Sequence, residues 1–121
     1  MAKDDYFVIV YKVLTYLYAV LKRKILFNNK EFEQSILKNR IDEDYFICIL
    51  KMMQDDELIE GLSFLNAWGN EVILINDIDN IRITSKGIEY LSDNSKMNQV
   101  KKNLLESADI FASLIKLVFP I

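Results

Sequence analysis

Residues 81–91 read IRITSKGIEYL, and the change of period inside this stretch decides the fold. Ile81 and Ile83 alternate with Arg82 and Thr84, the period-two pattern of a half-buried strand. The pattern then becomes helical: Thr84 or Ser85 can cap a first turn, and Ile88, Tyr90 and Leu91 begin an apolar face. A strand running directly into a helix predicts an α+β domain.

Working outward, the whole chain is 121 residues at 51% hydrophobic content and 27% charge, enough for one globular domain with its own core. Three Gly and one Pro, at position 120, leave no flexible linker or low-complexity segment. Cys48 is the only cysteine, so neither an intramolecular disulfide nor a zinc ribbon can form, which fits the expected cytoplasmic location. Residues 6–21 are mostly apolar, but their flank is acidic (Asp4, Asp5), and Lys12, Tyr6, Tyr11, Tyr16 and Tyr18 interrupt them. They also fall short of the roughly 20 residues a spanning helix needs. Residues 104–119 contain Glu106, Asp109 and Lys116. Both segments read as helices of a water-soluble domain, with no membrane partner expected.

In chain order, Asp4 caps a helix expected to reach about Lys24. Tyr6, Ile9, Val10, Val13, Leu14, Leu17, Val20 and Leu21 share one face, with Lys12, Thr15, Ala19, Lys22 and Arg23 opposite. Residues 25–27 form a short extended piece. Asn28 followed by Glu31 has the form of a capping box for a helix over 30–38 that buries Phe32 and Ile36. Asp42 caps a third helix, to about Asp55, with Phe46, Ile49, Leu50 and Met53 toward the core. Residues 58–65 read as a strand in which Gly61 marks a bulge or a close approach. A turn containing Trp68 leads to a second β-rich run at 72–75, and residues 76–80 turn into the opening stretch. After Leu91, residues 92–95 break the helix and Ser95 recaps it. The last helix carries two stripes: Val100, Leu104, Ala108, Phe111, Ile115 and Val118 on one side, Ile110, Leu114 and Leu117 on the other. A helix apolar on two faces needs two things to pack against; the second is either a partner subunit or a groove of its own domain.

The order helix, helix, helix, strand, hairpin, helix resembles the winged helix-turn-helix arrangement: a three-helix core with a β-hairpin wing over residues 1–94, plus a C-terminal helix, 95–121, as the expected dimerisation element. Within it, IDEDYFICILKMMQDDELIEGL and ITSKGIEYLSDNS are similar to segments of the YjcQ-like family, whose Thr-x-Lys-Gly-x-x-Tyr-Leu motif is matched by Thr84, Lys86, Gly87, Tyr90 and Leu91. The resemblance covers residues 41–106. It implies a small bacterial or bacteriophage winged-helix protein and supplies no catalytic or binding residues.

The function expected first on this scaffold is that of a DNA-binding transcriptional regulator of phage or prophage type, with a protein-interaction or dimerisation module as the alternative. As a DNA-binding transcriptional regulator, the chain would form a homodimer on double-stranded DNA through Lys38, Arg40, Tyr45, Lys51 and Lys86. Against this stand a net charge of -3 and a wing, residues 66–80, with Glu71, Asp77 and Asp79 and no Lys or Arg. As a protein-interaction module, it would use Ile47, Cys48, Met52 and Trp68, with Ile110, Leu114 and Leu117 on the terminal helix. The bland alternative packs Trp68 back onto the sheet and leaves the cations as ordinary solvated charges. Enzymatic activity is not expected: there is no histidine, Cys48 has no neighbouring base, and no Gly-rich phosphate loop is present. No cofactor, metal or small-molecule substrate is implied. The acids Asp55, Asp56 and Glu57 sit at a helix C-terminus, where the dipole opposes them.

Overall fold

A computed structural model describes residues 4–37, 42–107 and 111–119. Its centre is α1 (Asp4–Leu21). The expected core face is buried from Ile9 to Leu17, and so are three of the five residues expected opposite it: Lys12 is 4% exposed, and Thr15 and Ala19 are fully buried, while Lys22 and Arg23 are exposed. The reason is the chain's last two helices, α5 (Ser95–Glu106) and α6 (Phe111–Val118), which fold back onto α1. Lys12 Nζ lies 5.7 Å from the centre of the Phe111 ring, and Lys22 Nζ donates to the Val118 carbonyl at 2.8 Å. Helix α1 ends at Leu21, earlier than expected. Arg23 takes a left-handed φ of 62°, with Arg23 N–H donating to Val20 O at 3.0 Å and Lys24 N–H to Ala19 O at 2.9 Å. These two bonds are those of a Schellman C-cap. It leaves Leu21 exposed rather than on the core face.

The second helix, α2 (Asn29–Leu37), is capped as expected by Asn28, whose Oδ1 accepts from Glu31 N–H at 2.9 Å. The return half of the box is taken over by a distant residue: Asn28 N–H donates to the Tyr16 hydroxyl at 3.1 Å. Residues 25–27 form no strand; Phe27 instead packs edge-on to Tyr16 at 5.7 Å and against Phe32 at 5.2 Å. Helix α3 (Glu43–Asp55) starts at Asp42, which accepts from Asp44 N–H at 3.2 Å, and buries the four residues its period required. A second Schellman cap closes it, with Glu57 at φ 65° and Leu58 N–H donating to Met53 O at 2.9 Å.

Residues 58–65 are not one strand. The structure divides them into β1 (Ile59–Glu60) and β2 (Phe64–Asn66), each in a separate two-stranded antiparallel sheet. Strand β1 pairs with β4 (Arg82–Ile83), placing Ile59 opposite Ile83; β2 pairs with β3 (Val72–Leu74), placing Leu65 opposite Ile73. Gly61 makes the break, at φ 98°, where a side chain would collide with the Asn80 carbonyl; this is the close approach expected of it. Side-chain amides replace the ladder across the joint. Gln54 accepts from Leu62 N–H at 2.9 Å and donates to Leu62 O at 2.7 Å, while Asn76 accepts from Ser63 N–H and donates to Gly61 O, both at 2.9 Å.

The motif that opened the sequence reading forms β4 and then α4 (Ser85–Asp93). Thr84 Oγ1 accepts from Gly87 N–H at 2.9 Å and donates to Glu57 O at 2.6 Å. Lys86 reaches Glu57 Oε1 at 3.4 Å. A Cβ on Gly87 would strike the Leu58 carbonyl and come within 2.9 Å of Ile83 Cγ1. The next break is capped by Asn94, not Ser95: its Oδ1 accepts from Lys96 N–H at 2.9 Å and Met97 N–H at 3.1 Å. The terminal helix is thus two helices. Val100, Leu104, Phe111 and Ile115 join the same core as α1, and Val118 is buried. Among the described residues no helix is long and apolar enough to cross a membrane.

Two predictions follow from this packing. Gly87→Ala should destabilise by about 2–3 kcal/mol, because backbone and a β-branched side chain must both give way. Gly69→Ala, at φ 73° with nothing near its Cβ, should cost only about 1 kcal/mol; urea denaturation of both variants measures the contrast. The second concerns Tyr11, fully buried on α1. Its hydroxyl and that of Thr15 lack a hydrogen-bond partner among the described residues. Burial pushes the Tyr11 phenol up from 10.0 to about 12, an effect the nearby Thr15 hydroxyl partly offsets. Since the folded value lies above the unfolded one, the contribution to stability is complete below pH 10 and disappears as pH rises from 10 to 12. Urea midpoints should fall across that window, and fall less in Tyr11→Phe.

Candidate protein-interaction surface

The outward ridge of α3 carries Asp44, Tyr45, Cys48, Met52 and Asp55, all exposed, with Ile47 and Lys51 half-buried beside them. The cation of this ridge is engaged: Lys51 Nζ pairs with Asp55 Oδ2 one turn along at 2.8 Å. Lys86 is turned toward Glu57. These two pairs account for the acids at the end of α3, since Asp55 and Glu57 each face a lysine instead of the helix dipole alone. The third, Asp56, lies close enough to Tyr6 and Tyr90 to help burial, the larger cause, push both phenols above their usual range. Of the candidate DNA contacts, Lys38 and Arg40 lie outside the described residues. Of the others, Tyr45 is exposed and uncharged, and Lys51 and Lys86 are each ion-paired.

Between α2, α3 and β3 runs a groove of about 440 Å³. Five carboxylates line it, those of Glu33, Glu43, Asp44, Glu71 and Asp77, and among the described residues no Lys or Arg does. The potential in such a cleft disfavours a phosphate backbone. Among the described residues no group of three or more His, Cys, Asp or Glu side chains is placed to hold a metal ion.

The hairpin of β2 and β3 differs from an ordinary one-sided sheet. Its inner face packs Phe64 and Leu74 against the core. Its outer face carries Leu65 directly opposite Ile73, with Ile75 two residues on, and all three are exposed. At the tip a 3-10 turn, Trp68–Asn70, presents Trp68 with 98% of its surface in solvent. The indole does not fold back onto the sheet. Sequence reasoning found Trp68 and missed Leu65, Ile73 and Ile75. The signal was there: apolar residues at every position of 72–75 cannot all face one core.

On the terminal helices, Leu114 is half-buried against the core and Leu117 is exposed. Ile110 lies outside the described residues.

The surface is that of a small α+β domain whose hairpin is apolar on both sides and whose neighbouring groove is acidic. The chain belongs to the YjcQ protein family, whose model matches residues 11–110. No curated protein and no solved structure matches it.

Because Trp68 is the only tryptophan, its environment can be read directly. Its emission should be that of a hydrated indole, quenched by acrylamide about as freely as a small indole in solution; a shielded, blue-shifted spectrum would contradict the placement.

Proposed function

We propose that this protein is a non-catalytic winged-helix module that docks another protein through the outer face of its hairpin, in place of duplex DNA. The carrying observation is the tip: an indole that buries nothing of its own, next to an apolar cross-strand pair, is a large hydrophobic surface available to a partner. Tyr45 and Met52 on α3 offer further apolar contact. The winged-helix reading rests on the element order, in which α1, α2 and α3 precede β1, the hairpin and β4, and on the direct passage from β4 into α4.

The DNA-regulator reading has two supports. Lys86 stands in the first turn of α4, where helix amides favour an anion, and Arg82 and Lys86 are exposed. Both cations already face carboxylates, Glu60 at 3.5 Å and Glu57 at 3.4 Å, and the hairpin brings only acids. Docking therefore accounts for more of the surface than phosphate binding does.

Fluorescence anisotropy on random duplex DNA discriminates the two. The docking reading expects no binding even at low salt, whereas micromolar binding that weakens steeply with salt would return the chain to the DNA regulators. The partner, once isolated, should bind purified Trp68→Ala at least about thirtyfold more weakly, the loss of a hot spot worth roughly 2 kcal/mol. Unchanged affinity would remove the hairpin tip from the interface.

A further inference from the structure

The loop between α1 and α2 is the chemical complement of the acidic groove. It reads Lys22, Arg23, Lys24, Ile25, Leu26, Phe27, and follows the exposed Leu21. Lys22 is used internally, by the Val118 carbonyl and by the Tyr18 ring at 4.7 Å. Arg23 and Lys24 are exposed and make no ion pair among the described residues. Leu26 is 89% exposed. A loop tip that presents a bare leucine beside two free cations is well suited to a cleft lined by carboxylates and aliphatic side chains.

We propose that this loop seats in the acidic groove of a second copy of the chain, and that the contact is reciprocal. Three observations choose a second copy over an unrelated basic partner. First, one chain carries both halves: Arg23, Lys24 and Leu26 on the loop, and Glu33, Glu43, Asp44, Glu71 and Asp77 around the groove. Second, the halves are neighbours. Phe27 lines the concavity under the loop and Asn29, two residues on, lines the groove. A two-fold interface requires one patch that complements itself, and adjacent positive and negative halves satisfy that requirement. Third, the loop is already held in shape. The Schellman cap fixes its start, while the Phe27 ring contacts and the bond from Asn28 N–H to Tyr16 Oη at 3.1 Å fix its end. Docking a pre-shaped loop forfeits little conformational entropy.

The groove shares Ile73 with the hairpin's outer face, but the charge reversals below leave Trp68 and the Leu65–Ile73 pair intact, so the dimer and the docking reading are tested separately. The contact depends on charge between chains whose net charge is -3 each, so it must weaken with salt as the Debye length shrinks from about 10 Å at 0.1 M to about 3 Å at 1 M.

Sedimentation velocity on the full chain tests it with two variants. Arg23→Glu/Lys24→Glu places acid against acid in a self-dimer, and Glu71→Lys/Asp77→Lys places base against base. Each alone should raise the dimer dissociation constant by about tenfold or more. Mixed one to one, they restore both loop-to-groove contacts and should form a heterodimer of near wild-type affinity. The rescue requires both variants to be folded, and circular dichroism confirms it. A wild-type chain that stays monomeric at low salt overturns the proposal. So does a dimer that survives both reversals, or a mixture that fails to associate although both variants are folded.

Discussion

The hinge of this fold is a carbonyl lying against a glycine. The Leu58 carbonyl accepts from Thr84 N–H at 3.2 Å and rests against Gly87 where any Cβ would be. One residue earlier, Glu57 gives its carbonyl to Thr84 Oγ1 and its carboxylate to Lys86. All three residues of Thr84, Lys86 and Gly87 thus serve one turn, the one by which α3 becomes β1. That turn decides how the strand leaves α3, how β4 lies beside β1, and at what angle α4 departs. The hairpin projects from the next break along, at Gly61, where Gln54 and Asn76 hold the chain.

Local and distant constraints divide the chain into parts legible in the sequence and parts that were not. The stretch over 81–91 was legible because each residue acts locally: Ile81 and Ile83 face inward, Thr84 caps, and Gly87 permits contact. The core of α3 and the cap at Asn28 were legible for the same reason. What escaped was set by distant partners. Lys12, Thr15 and Ala19 look solvated on a wheel because nothing in residues 4–21 says that Phe111 and Val118 return to cover them. Tyr16 displaces the second half of a capping box from twelve residues away. Gly61 was marked as special, but that it ends one sheet and begins another depends on Gln54 and Asn76, whose amides carry bonds that a continuous ladder would have made. The exposed apolar surface was legible in Trp68 and not in its extent, because which face a strand residue takes follows from register.

Charge and apolar surface divide the exterior in an unusual way. Among the described residues, Lys51, Arg82 and Lys86 pair with carboxylates, five acids line the groove beside α3, and the loop before α2 carries the bare cations Arg23 and Lys24. A nucleic-acid reader keeps its positive charge on the elements that meet the groove and backbone. Among the described residues, the outer side of α3 and of the hairpin is apolar or negative, with its one lysine, Lys51, paired.

The enclosure of α1 has a consequence for synthesis. On the ribosome α1 is complete 97 residues before Val118, the last residue of α6, is added. At about 5–20 residues per second, that is a wait of roughly 5–20 s. Throughout it an apolar helix lacks the two elements that shield Lys12, Thr15 and Ala19. Cooperative folding is thereby postponed until α6 has been made, and for that interval the nascent polypeptide keeps an apolar helix face uncovered.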